Sequence, residues 1–210
     1  MAFESLLAVV TPAPSRDLTT LATVAQECRC SVEDLTDGLE LIAAASDAIV
    51  AFTKREWVSE AVRQTFRGNG RRVLSLFLDR APLTTLTSVT VDGSALNLAT
   101  EVEYDARRGL LYRLDLDERV EWGCRLVVVE YTAGYTPPSV ASCTMPALIQ
   151  RIAAKTVAGW RSGQGSNTRV RSRTIEDVGS VSFVDPKADD AGFPPGIADM
   201  LRPHQWKRAG

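Results

Sequence analysis

A change of hydrophobic period late in the chain constrains the fold more than any other feature of the sequence. Residues 126–132 (LVVVEYT) are rich in Val and aromatic side chains, as β-strands are, and Gly134 and the Pro137–Pro138 pair then break the strand. After Pro146, apolar residues recur at helical spacing, which predicts an amphipathic helix. Its predicted buried face comprises Met145, Leu148, Ile149, Ile152, Ala153, Thr156, Val157 and Trp160. A stripe of this kind is typical of a packing surface, so we interpret the junction as part of a core.

Two more helices are predicted near the start of the chain. Asp17 is a favourable N-cap residue, and the apolar stripe behind it predicts a short helix. Ser31 with Asp34 resembles a capping box, which predicts a second, longer helix that continues to Thr53. The residues before Asp17 include two prolines and are predicted to form a loose arm.

The middle of the chain is predicted to be a small antiparallel sheet or sandwich. Gly68-Asn69-Gly70 predicts a hairpin between residues 60–67 and 71–78, because Gly and Asn accept positive φ angles at little cost. Two further turns are predicted, at Asp92-Gly93 and near residues 107–109. Short strands inserted between helices indicate an α+β fold.

Composition excludes several classes of function. The chain has 210 residues and a net charge of −2, whereas a dedicated duplex-binding domain normally carries a strong basic excess. Its 4 cysteines form no C-x-x-C pair and its single histidine is remote from them, so zinc-ligand spacing is absent. The first residues lack a basic leader and a membrane-length apolar run. We therefore expect no cofactor, no membrane partner, and a soluble protein made in the cytoplasm.

Candidate catalytic residues are few in this sequence. Asp115, Asp117, Glu118 and Glu121 lack the glycine and the distant glutamate of a calcium loop, which favours a solvated turn. His204 lies near the terminus, where a general base would have no rigid frame. The chain is therefore not expected to be an enzyme. A small hydrolase that uses the four acids remains a rival hypothesis.

The last fifty residues show no apolar core, and their charge changes from positive to negative along the segment. Four arginines and no acid occur between Arg161 and Thr174, and five acids with one lysine follow between Glu176 and Asp190. The alternation in Arg169 to Arg173 would place three arginines on one side of an extended segment. These arginines could contact nucleic-acid phosphates or an acidic protein surface, or could belong to a solvated arm.

Four segments of the sequence, taken in order, carry a resemblance to a known family. They are LTTLATVAQECRCSVEDLTDGLELIAAASDAIVAFTKREW with its Phe52-Thr53-Lys54-Arg55 element, FRGNGRRVLSLFLDRAPLTTLTSVTVDG, VVVEYTAGYTPP with the helix after it, and RSRTIEDVGSVSF. In this order they resemble the head-tail connector (adaptor, or head completion) proteins of tailed bacteriophages and related gene transfer agents. The resemblance covers most of residues 17–206.

The resemblance and the pattern together imply a division of the chain. We expect a flexible arm at 1–16, a helical pair at 17–57, an inserted antiparallel β domain at 58–135, a helix completing the bundle at 144–162, and a long extended C-terminal arm at 163–210. The fold class is thus a small helical bundle with an inserted antiparallel sheet or small sandwich.

The resemblance implies a structural virion protein at the head-tail interface. The family forms a ring, usually of twelve copies, that binds the portal protein and offers a surface to a neck, stopper or tail protein; the lumen could touch genomic DNA non-specifically. By the same resemblance, the C-terminal arm would dock on the portal. The expected docking residues are Arg171, Arg173, Ile175, Val178, Val181, Phe183, Leu201 and Trp206. A tail-side neck protein (stopper or tail terminator) and, less favoured, a small nucleic-acid-binding module remain alternatives.

Overall fold

The computed structural model describes residues 4–68, 72–123, 126–163 and 192–206. In chain order its elements are β1 (Glu4–Thr11), α1 (Leu21–Cys28), α2 (Gly38–Thr53), β2 (Glu60–Arg67), β3 (Ser75–Phe77), β4 (Leu83–Val91), β5 (Ser94–Ala95), β6 (Val102–Asp105), β7 (Leu110–Asp115), β8 (Glu118–Val120), β9 (Leu126–Ala133), α3 (Ala147–Arg161) and α4 (Ile197–Leu201), with a 3-10 turn at Arg202–His204. The α+β fold class predicted from the sequence is confirmed.

The strands form two antiparallel sheets that face each other. The larger sheet has the order β1-β2-β9-β4-β5, and the smaller has the order β3-β7-β6 with β8 paired to β7. Side chains from both sheets share one hydrophobic core; Phe66 and Val129 come from the larger sheet, and Leu76 and Leu111 from the smaller. This arrangement is the small sandwich predicted from the alternating pattern.

The helices form a second layer with a core of its own. Ile49 of α2 packs with Ile149, Ile152 and Ala153 of α3, and Phe193 from the end of the chain joins them. Gly134 links the layers, because a Cβ there would lie 2.5 Å from the Val58 carbonyl oxygen and its φ is +113°. Only glycine allows the chain to leave β9 this close to the segment before β2.

The N-terminal residues differ from the prediction of a loose arm. Residues Glu4–Thr11 form β1, which pairs with β2 along its length. Their sequence, ESLLAVVT, has strong β-propensity, and this outweighs the two prolines that follow. The prolines mark only the end of the strand.

The predicted hairpin at Gly68-Asn69-Gly70 is wrong. β2 belongs to the larger sheet, whereas β3 pairs with β7 in the smaller one, so the connection crosses between sheets. The physical reason is that both flanking segments alternate in hydrophobicity, and such a pattern does not reveal which sheet each joins. The other two turns are confirmed, since β4 pairs with β5 and β6 pairs with β7.

Two helix details also differ from prediction. The Ser31 N–H and hydroxyl both donate to Asp34 Oδ2, at 3.0 and 2.8 Å, but this turn precedes the helix, which begins at Gly38. In α3, Leu148 is 44% exposed, so it lies outside the buried stripe. Small neighbours, including Ala154, complete that stripe instead.

The end of the chain differs most from prediction. Residues 192–206 were expected to belong to an extended arm, yet Phe193, Ile197, Ala198 and Leu201 lie in the core of the helical layer. Gly159 in α3 permits this contact, because a Cβ there would lie 2.8 Å from Pro194 Cβ. The division of the chain into domains at the expected positions stays a prediction.

Candidate interaction surfaces

The structure places two of the eight expected docking residues. Arg171, Arg173, Ile175, Val178, Val181 and Phe183 lie outside the described residues. Leu201 is 0% exposed in the helical core, so its side chain is not available to a partner in this conformation. Trp206 is half-buried against the protein's own surface. Both residues therefore anchor the end of the chain to its own body.

A cluster of hydrogen bonds and ring contacts holds the last described residues in place. The backbone N–H of Trp206 donates to the Thr53 carbonyl oxygen at 2.8 Å. The Gln205 side chain donates to the Phe52 carbonyl oxygen at 3.3 Å. The Trp206 ring lies 5.5 Å from that of Phe77, in β3. The C-terminal segment thus bridges α2 and the smaller sheet.

Arg55 lies at the centre of this junction. Its Nη2 donates to the Ala81 carbonyl oxygen at 2.9 Å, and its guanidinium carbon lies 4.5 Å from the Trp57 ring centroid and 5.7 Å from that of Trp206. Burial lowers the pKa of Arg55, but an arginine side chain remains positively charged at neutral pH. Aromatic faces stabilise a partly desolvated cation of this kind. The Phe52-Thr53-Lys54-Arg55 element is therefore where the two layers and the chain end meet.

A buried polar network lies on the inner side of the larger sheet. The Gln64 side-chain oxygen accepts from the Asp79 N–H at 3.0 Å and from the Tyr131 hydroxyl at 2.8 Å, while its Nε2 donates to Asp79 Oδ2 at 2.9 Å. Burial raises the pKa of Tyr131. Ser5 of β1 also donates to Asp79, at 3.2 Å. Because these groups satisfy one another, the network is suited to fixing β1 and the segment at 79 rather than to chemistry.

β1 has an exposed apolar surface on the outer face of the larger sheet. Leu6 is 69% exposed and Val10 is 58% exposed. β1 ends the strand order of the larger sheet, so within the described residues no strand pairs with its outer edge. This surface is absent from the sequence-based predictions. The unbroken apolar run from Leu6 to Val10 was the signal that could have revealed it.

The outer face of the same sheet is close to neutral. Arg63 Nε donates to Glu130 Oε1 at 2.8 Å in the middle of the face, and Glu4 lies directly across from Arg67. Hydrogen bonds from Arg63 and Ser88 hold the pKa of Glu130 below its usual range. This face has no excess of either charge.

A cavity of about 660 Å³ lies between the end of α1, α3 and the returning C-terminal segment. Cys28 and Cys30 line it together with Lys155 and Pro194. Burial, and next the nearby Cys30, raise the pKa of the Cys28 thiol. Since a thiolate is the reactive form, Cys28 is a poor nucleophile at neutral pH.

The rival hydrolase hypothesis gains no support from the geometry. Asp117 lies in the turn between β7 and β8 with a φ of +66°, and His204 contacts the Trp57 ring edge-on at 5.9 Å. Across residues 4–68, 72–123, 126–163 and 192–206, no three His, Cys, Asp or Glu side chains are grouped so that they could hold a metal ion. In the same ranges, no helix is both long and apolar enough to cross a bilayer.

The sequence matches no family model and no curated protein. The structure, however, resembles solved chains along almost its whole length. A chain in the neck of an empty gene transfer agent (GTA) particle, computed with C6 symmetry, gives a TM-score of 0.57 at 17% identity, covering 97% of both chains. A chain in the virion of a native GTA particle gives the same values. A third, in the neck of a native GTA particle computed with C12 symmetry, gives 0.54. At this level of identity, what these chains share with the present one is the fold.

Proposed function

We propose that this chain is a structural protein in the neck of a phage-like particle. The observation that carries the proposal is the fold likeness, which covers 97% of this chain and 97% of chains described as neck or virion components. A likeness of this extent includes the helical layer and the sandwich together. The independent resemblance of the ordered sequence segments points to the same class.

More specifically, the chain acts as a head-tail connector (adaptor) that forms a ring under the portal vertex. Two of the similar chains belong to necks computed with C6 or C12 symmetry, which supports several copies around one axis. A ring needs two different faces on each subunit, and the two-layered body of this chain offers them. Its role is non-enzymatic, in keeping with the thiol, histidine and carboxylate environments described above.

The direct test is binding to portal rings. The full chain is mixed with portal rings of the same particle, and the complex is separated by sedimentation and weighed by native mass spectrometry. We expect a ring of this chain on the portal, with twelve copies by family resemblance. If the chain instead sediments only with a tail-side protein, the stopper or tail-terminator alternative replaces the adaptor. Binding to neither would overturn the neck role.

The expected docking residues in 164–191 provide a second test. Arg171→Glu with Arg173→Glu should weaken portal binding, because charge reversal in a polyvalent contact acts on every copy. Arg107→Glu with Arg108→Glu is the matched control, since these residues are exposed in the β6–β7 turn. Equal binding by both double variants would remove the arginines from the docking hypothesis. Truncation after Gly163 is unsuitable, because it removes Phe193 and Leu201 from the core.

A further inference from the structure

We infer that β1 is an assembly contact whose outer edge and exposed apolar side chains are covered by a second copy of this chain. The inference rests on the proposed ring and names one of its interfaces. It assigns the N-terminal strand, rather than the end of the chain, to contacts between copies.

β1 has few of the features that protect free sheet edges. Natural edges carry lysine, proline or bulges, or are very short. β1 has 8 residues and its only charge is Glu4; its pairing with β2 stays in register from Glu4 to Val9 and shifts once, between Val9 and Thr11. A strand of this length at the end of a sheet offers a backbone edge to which a strand of another chain can add.

The opposite edge of the same sheet is protected, which makes the contrast internal to the molecule. The edge strand there, β5, has only 2 residues. The β4 segment is also rich in exposed threonine rather than large apolar side chains. The greater length of β1 and its exposed apolar side chains favour β1 as the edge that a partner covers.

The second argument concerns the chemistry of the occupant. Leu6 lies across from Thr65 and Ala8 across from Arg63, so the outer side of β1 continues the neutral face of the sheet. The cross-strand pair Glu4 and Arg67 and the ion pair Arg63 with Glu130 leave no net charge there. A nucleic acid would require a basic surface, whereas a neutral protein surface fits.

A second copy satisfies this requirement best. Copies stand side by side around the axis in necks computed with C6 or C12 symmetry, and the chains with this fold belong to such necks. In a ring, each copy presents one surface to a different surface of the next copy. β1 supplies one of these two surfaces along an edge of the body.

The test uses the full chain with Leu6→Lys and Val10→Lys. Both side chains are more than half exposed, so the free energy of unfolding should not change. Burying two unpaired charges should lower incorporation into rings by about tenfold or more in sedimentation and native mass spectrometry. The control is Leu116→Lys, which makes the same change at a leucine that is 94% exposed in the β7–β8 turn.

Hydrogen exchange of the wild-type chain provides a readout that a purely structural role would not change. Amides of residues 4–11 should exchange more slowly in the ring than in the free chain, while those around Leu116 should not. If the Lys variant enters rings as readily as wild type, this inference is overturned and the proposed function is not. The same holds if hydrogen exchange of β1 is unaltered in the ring. Equal impairment by Leu116→Lys overturns it too. A wild-type chain that stays monomeric both alone and with portal rings overturns it together with the proposed function.

Discussion

The two ends of the described chain contain similar apolar residues and use them differently. Residues 192–206 bury their apolar side chains in the helical core, where Phe193 and Leu201 are fully covered. Residues Glu4–Thr11 pair on one side with β2 and leave Leu6 and Val10 exposed. Both segments were expected to be arms. The difference shows that one end completes the fold, whereas the other leaves a surface that the fold itself does not cover.

Leu201→Ala should have the largest effect of these substitutions, because the C-terminal segment is part of the helical core. We expect it to lower the free energy of unfolding by about 2–5 kcal/mol, since it leaves a cavity in a core. Urea denaturation followed by tryptophan fluorescence measures the loss. Leu116→Ala, at an exposed leucine, should stay within about 0.5 kcal/mol. Similar values for both would mean that the segment does not stabilise the fold.

Gly159→Ala should show how tightly the same segment packs on α3. The new Cβ would overlap Pro194, and strain of this type costs about 1–3 kcal/mol. The better helix propensity of alanine offsets about 1 kcal/mol. In a Pro194→Gly background the overlap is removed, so the same substitution should become neutral or stabilising in a denaturation cycle. An unchanged penalty there would place the strain elsewhere.

Arg55→Lys should measure the junction between the chain end and the two layers. Lysine keeps the charge but loses the planar contact with Trp57 and Trp206 and the hydrogen-bond geometry to Ala81. We expect a loss of about 1–2 kcal/mol in chemical denaturation. Arg108→Lys, at an exposed arginine, is the control. If the two variants have equal stability, the cluster is incidental.

The polar network beneath β1 should appear as a loss of stability at alkaline pH. Burial raises the folded-state pKa of Tyr131 above its unfolded value of about 10. Its contribution is therefore complete below pH about 10 and is lost as the unfolded chain ionises, by about 1.4 kcal/mol at pH 11. Tyr131→Phe should lack this component when unfolding at pH 9 and pH 11 is compared. The same slope in both proteins would contradict the assignment.

Leu6→Ala should have the smallest effect on the free energy of unfolding of the isolated chain. It thereby tests the contrast between exposed β1 and the buried C-terminal segment. An exposed side chain contributes little to folding, so we expect a change within about 0.5 kcal/mol. Denaturation of the free chain measures it. A loss approaching that of Leu201→Ala would show that β1 is already covered in the free protein.

The fold was largely predictable where the hydrophobic pattern fits only one kind of secondary structure. The strand at 126–132 and the helix after Pro146 are both present, because a period-2 segment followed by a period-3.6 segment has few alternative interpretations. The hairpin at Gly68-Asn69-Gly70 was not predictable. Local turn chemistry cannot determine that β2 and β3 join different sheets.

The candidate surface was harder to predict than the fold. Leu201 is equally apolar whether it contacts a partner or the protein's own core, so its residue type does not distinguish the two. Its segment is also short and has no visible periodicity, which favours the prediction of an arm. The segment that carries Leu201 packs on α3 where Pro194 meets Gly159, and Gly159 is distant from this segment in sequence. In β1, an apolar run was visible, but its exposed edge follows only from the strand order of the sheet. Six docking residues lie outside the described ranges and stay predictions.

The contact between the two ends of the helical core affects how the protein is made. Leu18 and Leu201 share that core, so it cannot close until residue 201 has been synthesised and has left the ribosome. A chain cut short before Phe193 would have its helices but would lack the last part of their core. Such a product would lack the core contacts of Phe193 and Leu201 and would therefore be less stable than the full chain. Residues 192–206 thus form a late-synthesised part of the helical core.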